Sequence, residues 1–487
     1  MKYKLNWEKL LSSERLRLSG GVSNDRNAFE SDYGRVIFSP AIRRMHDKTQ
    51  VFPLSDDDNI HTRLTHSQEV MSIGYTFGIK LVNEIFNEDN IDLNKEDFNF
   101  LSSNGSILKS ELIRTIPLIL QTVCLFHDIG NTPFGHFGED SISNYFKDYF
   151  KNTTLLDNDK AIDFTQYDGN AQGLRVLTKL QILDDIYGLN LTSAVLATYL
   201  KYPNKGEKVK EKEIAVKKHG VFYSEYEHFE NIMKNCGLKI NDKYFRHPLC
   251  FLMEAADTIA YRTMDVEDGF NKGLYDLNFI LIKIEDKIKN SENELIKKLR
   301  EDINRIKGYD ISENSKMVRL RIALIDYLVS KAFEIFIRNY KLIMNGEYNN
   351  ELLDEDEFKI EGILGDICKN KIFASSEVNT LEVTGYSVIK GLLDFYINAI
   401  IKNEGGLEKK AYNLISKSTI NTAILEDKIV KGELNKNDKN DISLFKFEDF
   451  QELDNYFKLR VIIDFISGMT DKYALKHYQV ISGHKLK

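Results

Sequence analysis

The sequence has 487 residues, 42% of them hydrophobic and 29% charged, which is the composition of a folded protein with two or three lobes. The formal net charge of −8 disfavours a general basic nucleic-acid binder, and four cysteines without CxxC spacing disfavour a thiolate zinc site and a disulfide framework. We find no signal-peptide core and no apolar run approaching about 18 residues, so we expect a cytoplasmic protein that does not span a membrane.

The first 60 residues are irregular and rich in arginine. The arginines of this segment are Arg15, Arg17, Arg26, Arg35, Arg43 and Arg44. Arginines in an ordered, aromatic-bearing segment suggest anion contacts or a subunit interface. A solvated arm is an equally good interpretation of such a segment, and the sequence leaves both open.

Helical periodicity begins just after this segment. Apolar residues recur at helical spacing from His66 onward, with Thr65 predicted as the N-cap and Gln68 completing a capping box. His66 would therefore lie in the first turn of a helix. A second helix is predicted over 109–128, with a kink at Pro117. Further helices are predicted over 139–150, 170–183 and 191–200.

The stretch QTVCLFHDIGNTPFGHFGE at 121–139 concentrates groups suited to metal chemistry. An apolar run leads up to His127–Asp128, and a segment with glycine and proline then ends the helix. His136 and Glu139 follow three residues apart, which places them on one face of the next helix. An imidazole beside a carboxylate suits a divalent metal, and a second His/Glu pair suits proton transfer around an activated water. Taken alone, an HD dipeptide more often marks the C-terminal end of a helix, where the imidazole faces the helix dipole. Candidate ligands elsewhere in the chain must therefore decide whether this pair binds a metal.

Beyond residue 200, a lysine-rich run at 201–218 is predicted to be a solvated loop or hairpin. Residues 246–264 read as a buried helix with Asp257 in its interior, and a buried carboxylate is costly unless it is paired or binds a metal. Long amphipathic helices follow over 277–307, 317–344, 380–403, 407–430 and 447–479. Exposed loops are predicted at 351–357 and 433–441, and a short strand pair is conceivable between Gly362 and Val383.

Four candidate metal ligands result from this pass: His66, His127, Asp128 and Asp257. Two imidazoles and two carboxylates suit Mn²⁺, Mg²⁺ or Fe²⁺, whereas a structural zinc site more often uses thiolates. With four protein ligands, an octahedral ion keeps positions open for water and for a phosphate oxygen.

The order H…HD…D resembles that of the HD-domain metal-dependent phosphohydrolases. Longer motifs narrow the resemblance to the deoxyguanosinetriphosphate triphosphohydrolase (dNTPase) branch, and they run in family order over almost the whole chain. The motifs are DYGRVIFSPAIRRMHDKTQVFPL at 32–54, HTRLTHSQEV at 61–70, HDIGNTPFGHFGE at 127–139, DGNAQGLRVL at 168–177, LKYP at 200–203, EAADTIAYRTMDVEDG at 254–269 and DFISGMTDKYA at 464–474. An HD pair alone has low specificity, but seven collinear motifs have high specificity.

The resemblance implies an all-α fold, in which an HD-domain helical core carries long additional C-terminal helices and only minor β content. It divides the chain into an N-terminal arginine-rich segment at 1–60, involved in interface or substrate contacts, and a catalytic core at 61–275. A C-terminal helical region at 276–487 would complete the active site and the oligomer contacts.

The resemblance also implies roles for individual side chains. The four candidate ligands match the family's metal ligands, and His136 and Glu139 match the pair that activates water or protonates the leaving oxygen. The residues that match triphosphate contacts are Arg63, Lys201 and Tyr202. Those that match sugar and base contacts are Gln50, Asn170, Tyr261 and Asp265. Among these, Tyr261 would exclude a 2′-hydroxyl and Asp265 would hold the 3′-hydroxyl.

The implied activity is hydrolysis of dGTP, or of other dNTPs, at the α-phosphorus to deoxynucleoside and inorganic triphosphate, with Mn²⁺, Mg²⁺ or Fe²⁺ as cofactor. The family also implies a homo-oligomer, a hexamer or tetramer, and a single-stranded DNA or dNTP effector. Two alternatives stay open. One is an HD hydrolase of another nucleotide, such as ppGpp or a cyclic dinucleotide. The other is a nucleotide- or DNA-sensing regulator without turnover, which the lysine-rich run and the N-terminal arginines motivate.

Overall fold

The computed structural model describes residues 3–17, 25–52, 54, 60–90, 92–102, 105–181, 185–206, 212–436 and 445–485. Within these ranges the protein is all-α, with 23 α-helices and a single two-stranded sheet, which confirms the predicted fold class.

Twelve helices make up the first part of the chain. They are α1 (Trp7–Leu10), α2 (Ala28–Ile37), α3 (Pro40–Arg44), α4 (Arg63–Ile85), α5 (Lys109–Ile113), α6 (Ile116–Phe126), α7 (His136–Lys151), α8 (Asn158–Thr165), α9 (Gly169–Arg175), α10 (Ser193–Tyr199), α11 (Tyr226–Asn235) and α12 (Pro248–Asn271). Between α11 and α12, β1 (Lys239–Ile240) and β2 (Lys243–Tyr244) form an antiparallel hairpin. Its turn residues Asn241 and Asp242 have φ of 49° and 58°, as a tight hairpin turn requires.

Eleven helices follow in the C-terminal part. They are α13 (Leu277–Ile288), α14 (Glu294–Gly308), α15 (Glu313–Arg338), α16 (Tyr340–Met344), α17 (Ile360–Ile367), α18 (Ser376–Ile400), α19 (Glu408–Leu414), α20 (Lys417–Val430), α21 (Phe447–Gln451), α22 (Asn455–Ser467) and α23 (Asp471–Ile481). Single π-helical turns extend α9 and α17 over Val176–Leu180 and Cys368–Ile372.

Helices α4, α6 and α12 pack on one another at the centre of the larger hydrophobic core. Helix α6 is apolar and buried over nearly its whole length, which explains why its sequence shows no polar face. Helix α15 also packs against α12. Because each buried Leu, Ile or Phe contributes about 1.5–3 kcal/mol, this packing holds the ends of α4 and α6 against the middle of α12.

A second hydrophobic core joins α7 and α8 to the C-terminal helices α18, α22 and α23. Ile142 and Phe146 of α7 are fully buried there, as are Leu392 of α18 and Ile462 of α22. The helix that follows the HD motif is therefore anchored by a region that lies more than two hundred residues later in the sequence.

A buried ion network also ties the C-terminal helices to α9. The guanidinium of Arg175 lies 2.8 Å from carboxylate oxygens of Glu225, Glu426 and Asp464. All four side chains are almost completely inaccessible to solvent. Such a network holds only when every charge has a partner, so it fixes α20 and α22 in one position relative to α9.

Several sequence predictions of local structure are wrong. The N-cap of α4 is Thr62, with Thr65 as its capping-box partner, so the helix starts one turn earlier than predicted. The helix predicted over 109–128 is two helices, because α5 ends at Ile113, four residues before Pro117. The strand pair proposed between Gly362 and Val383 is helical, and α8 and α11 were not predicted.

In the part of the chain that the structure describes, no helix combines the length and the apolar character that crossing a bilayer requires.

Candidate active site

The N-terminus of α4 places Arg63 and His66 side by side on one helix face. The hydroxyl of Thr62 accepts a hydrogen bond from the amide of Thr65, and the amide of Arg63 donates to the carbonyl of Lys48 at 2.9 Å. These bonds fix the first turn of the helix. The imidazole of His66 is buried, with 1% of its surface exposed.

The C-terminus of α6 orients the imidazole of His127. Its Nδ1 donates to the carbonyl of Cys124 at 2.8 Å, and because a carbonyl only accepts, the Nδ1 atom must carry a proton. The other nitrogen, Nε2, is then directed at the carboxylates, where it can bind either a proton or a metal ion. The two sequence interpretations of His127 therefore coexist, since one ring nitrogen caps the helix and the other faces the site.

Asp257, in the middle of α12, lies between the two histidines. Its Oδ1 is 3.0 Å from Nε2 of His66 and 3.2 Å from Nε2 of His127. One donor atom from each of these three residues lies within 4.8 Å of the others, the only such group of His, Cys, Asp and Glu in the described ranges. Asp128 lies beside this group: its Oδ1 is 3.6 Å from Nε2 of His127, and its Oδ2 accepts from Arg63 at 2.5 Å.

The charges of the cluster favour a cation at its centre. Burial opposes protonation of His127, but Asp128 and Asp257 outweigh it and raise the pKa of His127 to about 9. Burial also acts to raise the pKa of Asp257, but His127 and His66 hold this pKa well below its usual range. The same carboxylates that stabilise a proton on His127 would stabilise a bound metal ion.

The donor set fits a divalent metal. Nε2 of His127 is fully buried, and its near acceptor among the described residues, Oδ1 of Asp257 at 3.2 Å, does not meet hydrogen-bond geometry, which is costly unless a ligand occupies that position. Two imidazole nitrogens with one or two carboxylates suit a borderline or hard divalent cation. Among the four predicted ligands, His66, His127 and Asp257 converge, whereas Asp128 lies outside this group, with its Oδ2 held by Arg63 and its Oδ1 towards His127.

The break after the HD motif has a strained backbone. Phe134 has a φ of 62° and Gly135 a φ of 61°, and the amide of Phe134 donates to Asp471 of α23 at 2.9 Å. A left-handed conformation at a non-glycine residue costs roughly 1–3 kcal/mol, so the contact with α23 helps to maintain it. His136, the first residue of α7, follows this turn and lines the same cavity as His127 and Asp257.

His136 and Glu139 form a pair at the start of α7. Nδ1 of His136 lies 3.5 Å from Oε2 of Glu139, with the carboxylate buried and the imidazole exposed. The hydrogen bond and the charge of Glu139 raise the pKa of His136 above its ordinary value. This pair can therefore hold a proton, although neither residue is part of the group formed by His66, His127 and Asp257.

A cavity of about 410 Å³, which we call the site cavity, opens in front of the cluster. With the exception of His66, every predicted site residue lines it. These residues are Gln50, Arg63, His127, Asp128, His136, Glu139, Asn170, Lys201, Tyr202, Asp257, Tyr261 and Asp265. A volume of this size is typical of cavities that enclose a small-molecule ligand.

Four lysine and arginine side chains line the site cavity, each with a carboxylate partner: Arg262 is paired with Glu361 and Arg63 with Asp128, and the other two are Lys201 and Lys218. Nζ of Lys201 lies 2.6 Å from Glu254, and Lys218 is paired with Asp168 at 2.7 Å. The sequence did not predict that Lys218 lines the cavity, because Lys218 is the last lysine of the run at 201–218, which we predicted to be a solvated loop or hairpin. Residues 207–211 of that run lie outside the described residues.

The opposite wall of the site cavity is aromatic and acidic. Tyr261 packs against the guanidinium of Arg262 at 4.6 Å, and Oε1 of Gln50 is buried without a partner among the described residues. Burial and the charge of Asp268 raise the pKa of Asp265 to about 8. With a raised pKa the Asp265 carboxyl holds a proton closer to neutral pH than an ordinary aspartate does, and a protonated carboxyl can donate a hydrogen bond as well as accept one.

The C-terminal part closes the site cavity with Phe373, Val378, Leu381 and Glu382. No sequence signal pointed to this segment, since it has ordinary helical periodicity and no chemical motif. It shows that residues beyond 276 contribute directly to the cavity wall.

Comparisons with known proteins extend over the whole chain. Residues 445–480, which cover α21, α22 and all but the last residue of α23, match the phosphohydrolase-associated domain family. A deoxyguanosinetriphosphate triphosphohydrolase-like protein of Listeria monocytogenes is 35% identical over 98% of this chain and 100% of its own length. A protein of the same name from Synechocystis is 30% identical over 99% and 100% of the two chains. A deoxyguanosinetriphosphate triphosphohydrolase of Enterobacter is 29% identical over 98% and 97%.

Proposed function

The chain belongs to the deoxyguanosinetriphosphate triphosphohydrolase family, and we propose that it is a metal-dependent enzyme that hydrolyses dGTP to deoxyguanosine and inorganic triphosphate. The observation that carries this proposal is the convergence of His66, His127 and Asp257 at the inner end of the site cavity. Metal-assisted hydrolysis at a phosphorus atom requires a metal-binding site that opens into a cavity large enough for a nucleotide.

In this proposal, His66, His127, Asp128 and Asp257 hold Mn²⁺, Mg²⁺ or Fe²⁺. The ion would polarise an α-phosphate oxygen and offset the charge that develops during the reaction. The two imidazoles enter from α4 and α6, and the Nδ1 bond of His127 to Cys124 keeps its Nε2 in position.

His136 and Glu139 carry the proton transfers. The exposed imidazole of His136 lines the site cavity, and the carboxylate of Glu139 behind it stabilises the protonated ring. A protonated imidazole can give its proton to the 5′-oxygen as the deoxynucleoside leaves, and such general acid catalysis contributes typically about 10²–10⁴-fold.

The triphosphate is held by the cations of the site cavity. Arg63, Lys201 and Lys218 already lie on this wall with Tyr202 between the lysines, whose ammonium groups are 5.6 Å and 5.9 Å from its ring centre. A triphosphate brings roughly four negative charges, so it can compete with the carboxylates that pair with these cations. Binding of substrate would thus exchange protein ion pairs for contacts with phosphate.

The sugar and base lie against the opposite wall. Tyr261 would occupy the space next to C2′ and so reject a ribonucleotide, while Asp265 would bind the 3′-hydroxyl. Gln50 and Asn170, which line the same cavity, would contact the sugar and base.

From the family resemblance we also propose a cytoplasmic homo-oligomer, a hexamer or tetramer, that responds to single-stranded DNA or to a second dNTP. On the same grounds we propose that the chain consists of an N-terminal segment at 1–60, a catalytic core at 61–275 and a C-terminal helical region at 276–487.

Product analysis tests the proposal. The purified protein is incubated with Mn²⁺ and each of the four dNTPs in turn, and the products are separated by anion exchange. We expect deoxynucleoside and triphosphate in equal amounts, fastest from dGTP. Pyrophosphate or orthophosphate as the inorganic product would refute the proposal, and binding without turnover would favour a regulator.

A further inference from the structure

A buried carboxylate of the C-terminal part bridges two segments of the wall of the site cavity. Asp471 is the first residue of α23 and has 2% of its surface exposed. Its Oδ1 accepts a hydrogen bond from the amide of Phe134 at 2.9 Å, and its Oδ2 accepts from the amide and the hydroxyl of Thr49 at 3.0 Å and 2.6 Å. Phe134 and Thr49 both line the site cavity, whereas Asp471 lies outside it.

Stabilisation of α23 does not account for this carboxylate. An aspartate in the first turn of a helix usually interacts with the amides and the dipole of its own helix. The N-cap of α23 is Thr470, whose hydroxyl accepts from the amide of Tyr473 at 3.3 Å. Among the described residues, none of the three donors to Asp471 belongs to α23. Because a buried carboxylate is costly, the contacts with Phe134 and Thr49 require another explanation.

The contact with Phe134 holds the turn that precedes α7. Phe134 has a positive φ, and its buried side chain lies so close to α18 that a Cβ added to Gly385 would be 2.8 Å from its own Cβ. The turn is therefore held from two sides, by α18 at the side chain and by α23 at the amide. His136 begins α7 two residues later, and Glu139 lies in the same first turn. The position of Phe134 thus determines where this turn of α7 starts.

The carboxylate of Glu139 is confined on its other side by α9. A Cβ added to Gly169, the first residue of α9, would lie 2.5 Å from Oε1 of Glu139 and 2.5 Å from Oδ1 of Asn131. Since α9 leaves Glu139 little room to move, a shift at the start of α7 would displace the exposed imidazole of His136 relative to this carboxylate. The pair would separate and would not move as a unit.

Lys48 holds the other end of the same loop. Its buried ammonium donates to the carbonyl of Asn131 at 2.5 Å and to the carbonyl of Ser467 at 2.8 Å. Ser467 is the last residue of α22. The loop between the HD motif and α7 is therefore attached at both ends to the junction of α22 and α23.

We propose that Asp471 is a positioning residue that fixes the imidazole of His136 relative to the proposed metal site, and that Lys48 assists it at the other end of the loop. This inference rests on the function proposed above for His136. Asp471 acts through Phe134 and the first turn of α7, without contact with the substrate. The segment at 445–480, which matches the phosphohydrolase-associated domain family, thereby takes part in the proton transfer.

A pair of variants of the full-length protein separates this role from a purely structural one. Asp471→Asn keeps the size of the side chain but replaces one acceptor oxygen by a donor, so at least one bond to Phe134 or Thr49 is lost. Thr470→Ala is the matched control, because it weakens the cap of the same helix and leaves the contacts of Asp471 in place. Mn²⁺ affinity is measured by calorimetry and the unfolding midpoint by thermal denaturation.

The first readout is turnover of dGTP with Mn²⁺. Asp471→Asn should lower kcat about 10- to 100-fold and change KM and the Mn²⁺ affinity less than about threefold, because misplacement of a catalytic group by about 1 Å can cost this much in rate. Thr470→Ala should leave kcat nearly unchanged. Equal kcat values in the two variants, or loss of Mn²⁺ binding in Asp471→Asn, would overturn the proposal.

The second readout does not depend on turnover. The imidazole of His136 is titrated by NMR in the chelator-treated protein, and its signal is identified by its absence in His136→Ala. Glu139 raises the pKa of His136, so this pKa should fall in Asp471→Asn, where the pair separates, and stay unchanged in Thr470→Ala. Equal pKa values of His136 in the two variants would overturn the proposal even if wild type hydrolyses dGTP. A wild type that releases no triphosphate would refute the proposed function instead.

Lys48→Met decides the question if Asp471→Asn does not fold. Methionine removes the ammonium and keeps an unbranched side chain, so the carbonyl of Asn131 is released while Asp471 stays intact. This variant should also lower kcat while Mn²⁺ binding is retained. A kcat equal to that of wild type would overturn the proposal.

Discussion

Oδ1 of Asp257 lies 3.0 Å from Nε2 of His66, so the carboxylate in the middle of α12 meets the first turn of α4. The end of α6 arrives at the same point through His127, at 3.2 Å. These three helices also pack on one another in the larger hydrophobic core. The donor geometry is thus a consequence of core packing, and each donor can be tested by changes that leave that packing intact.

Replacement of Asp257 by Asn should abolish tight metal binding while the fold is retained, since the amide keeps the size of the carboxylate without its charge. Even residues that only support a metal ligand cost about 10–100-fold in affinity, so we expect a loss of more than about 100-fold. Mn²⁺ binding is measured by calorimetry and metal content by mass spectrometry. Asp286→Asn, on the exposed face of α13, is the control. Full metal occupancy in Asp257→Asn would eliminate it as a ligand.

The pH dependence of turnover should report on His136. Glu139 raises the pKa of His136, so a protonated His136 supports activity below that pKa and the activity is lost as the pH rises through it. In Glu139→Gln the pKa of His136 falls, and the descending limb of kcat/KM should move to lower pH. The profile is measured with dGTP at a fixed concentration of Mg²⁺.

His136→Ala is the companion variant of this experiment. It should retain the metal and lose about 10²–10⁴-fold in kcat, together with the descending limb. An unmoved limb in Glu139→Gln, or loss of metal in His136→Ala, would show that the pair does not carry the proton.

The local chemistry of the site was predictable because it rests on short-range patterns. An apolar run ending in His127, and an aspartate surrounded by apolar residues at 257, are visible without any knowledge of packing. The start of α4 was predicted one turn late, since Thr62 and Thr65 are both plausible caps and periodicity does not separate them. The break before Pro117 was taken for a kink, although the ring of proline clashes with the carbonyl four residues earlier.

What the sequence did not indicate depends on contacts between distant elements. The pairing of Arg63 with Asp128, the place of Lys218 on the wall and the contribution of Val378 arise only when helices pack. No periodicity encodes which neighbour a helix face meets.

Removal of Lys218 should weaken substrate binding. Its ammonium lines the site cavity and can exchange Asp168 for a phosphate oxygen, so Lys218→Ala should raise KM for dGTP about tenfold. The control is Lys217→Ala, which removes the same charge from an exposed neighbouring position. Equal KM values for the two variants would show that Lys218 does not contact substrate.

Substitution of Tyr261 should change the selectivity for the sugar. Tyr261→Ala opens the wall next to C2′, so the ratio of kcat/KM for dGTP to that for GTP should fall at least about tenfold, mainly because GTP becomes a better substrate. Tyr261→Phe keeps the ring and should keep the ratio. If Tyr261→Ala loses activity on both nucleotides in proportion, the ring has a structural role only.

The most direct test of the proposed reaction is to determine which atom of dGTP is attacked by water. Hydrolysis of dGTP in ¹⁸O-labelled water with Mn²⁺ is followed by mass spectrometry of both products. We predict one ¹⁸O atom in the triphosphate, on the phosphorus that was α in the substrate, and none in deoxyguanosine. Label in the deoxynucleoside, or release of dGMP or dGDP in place of deoxyguanosine, would contradict the proposed reaction.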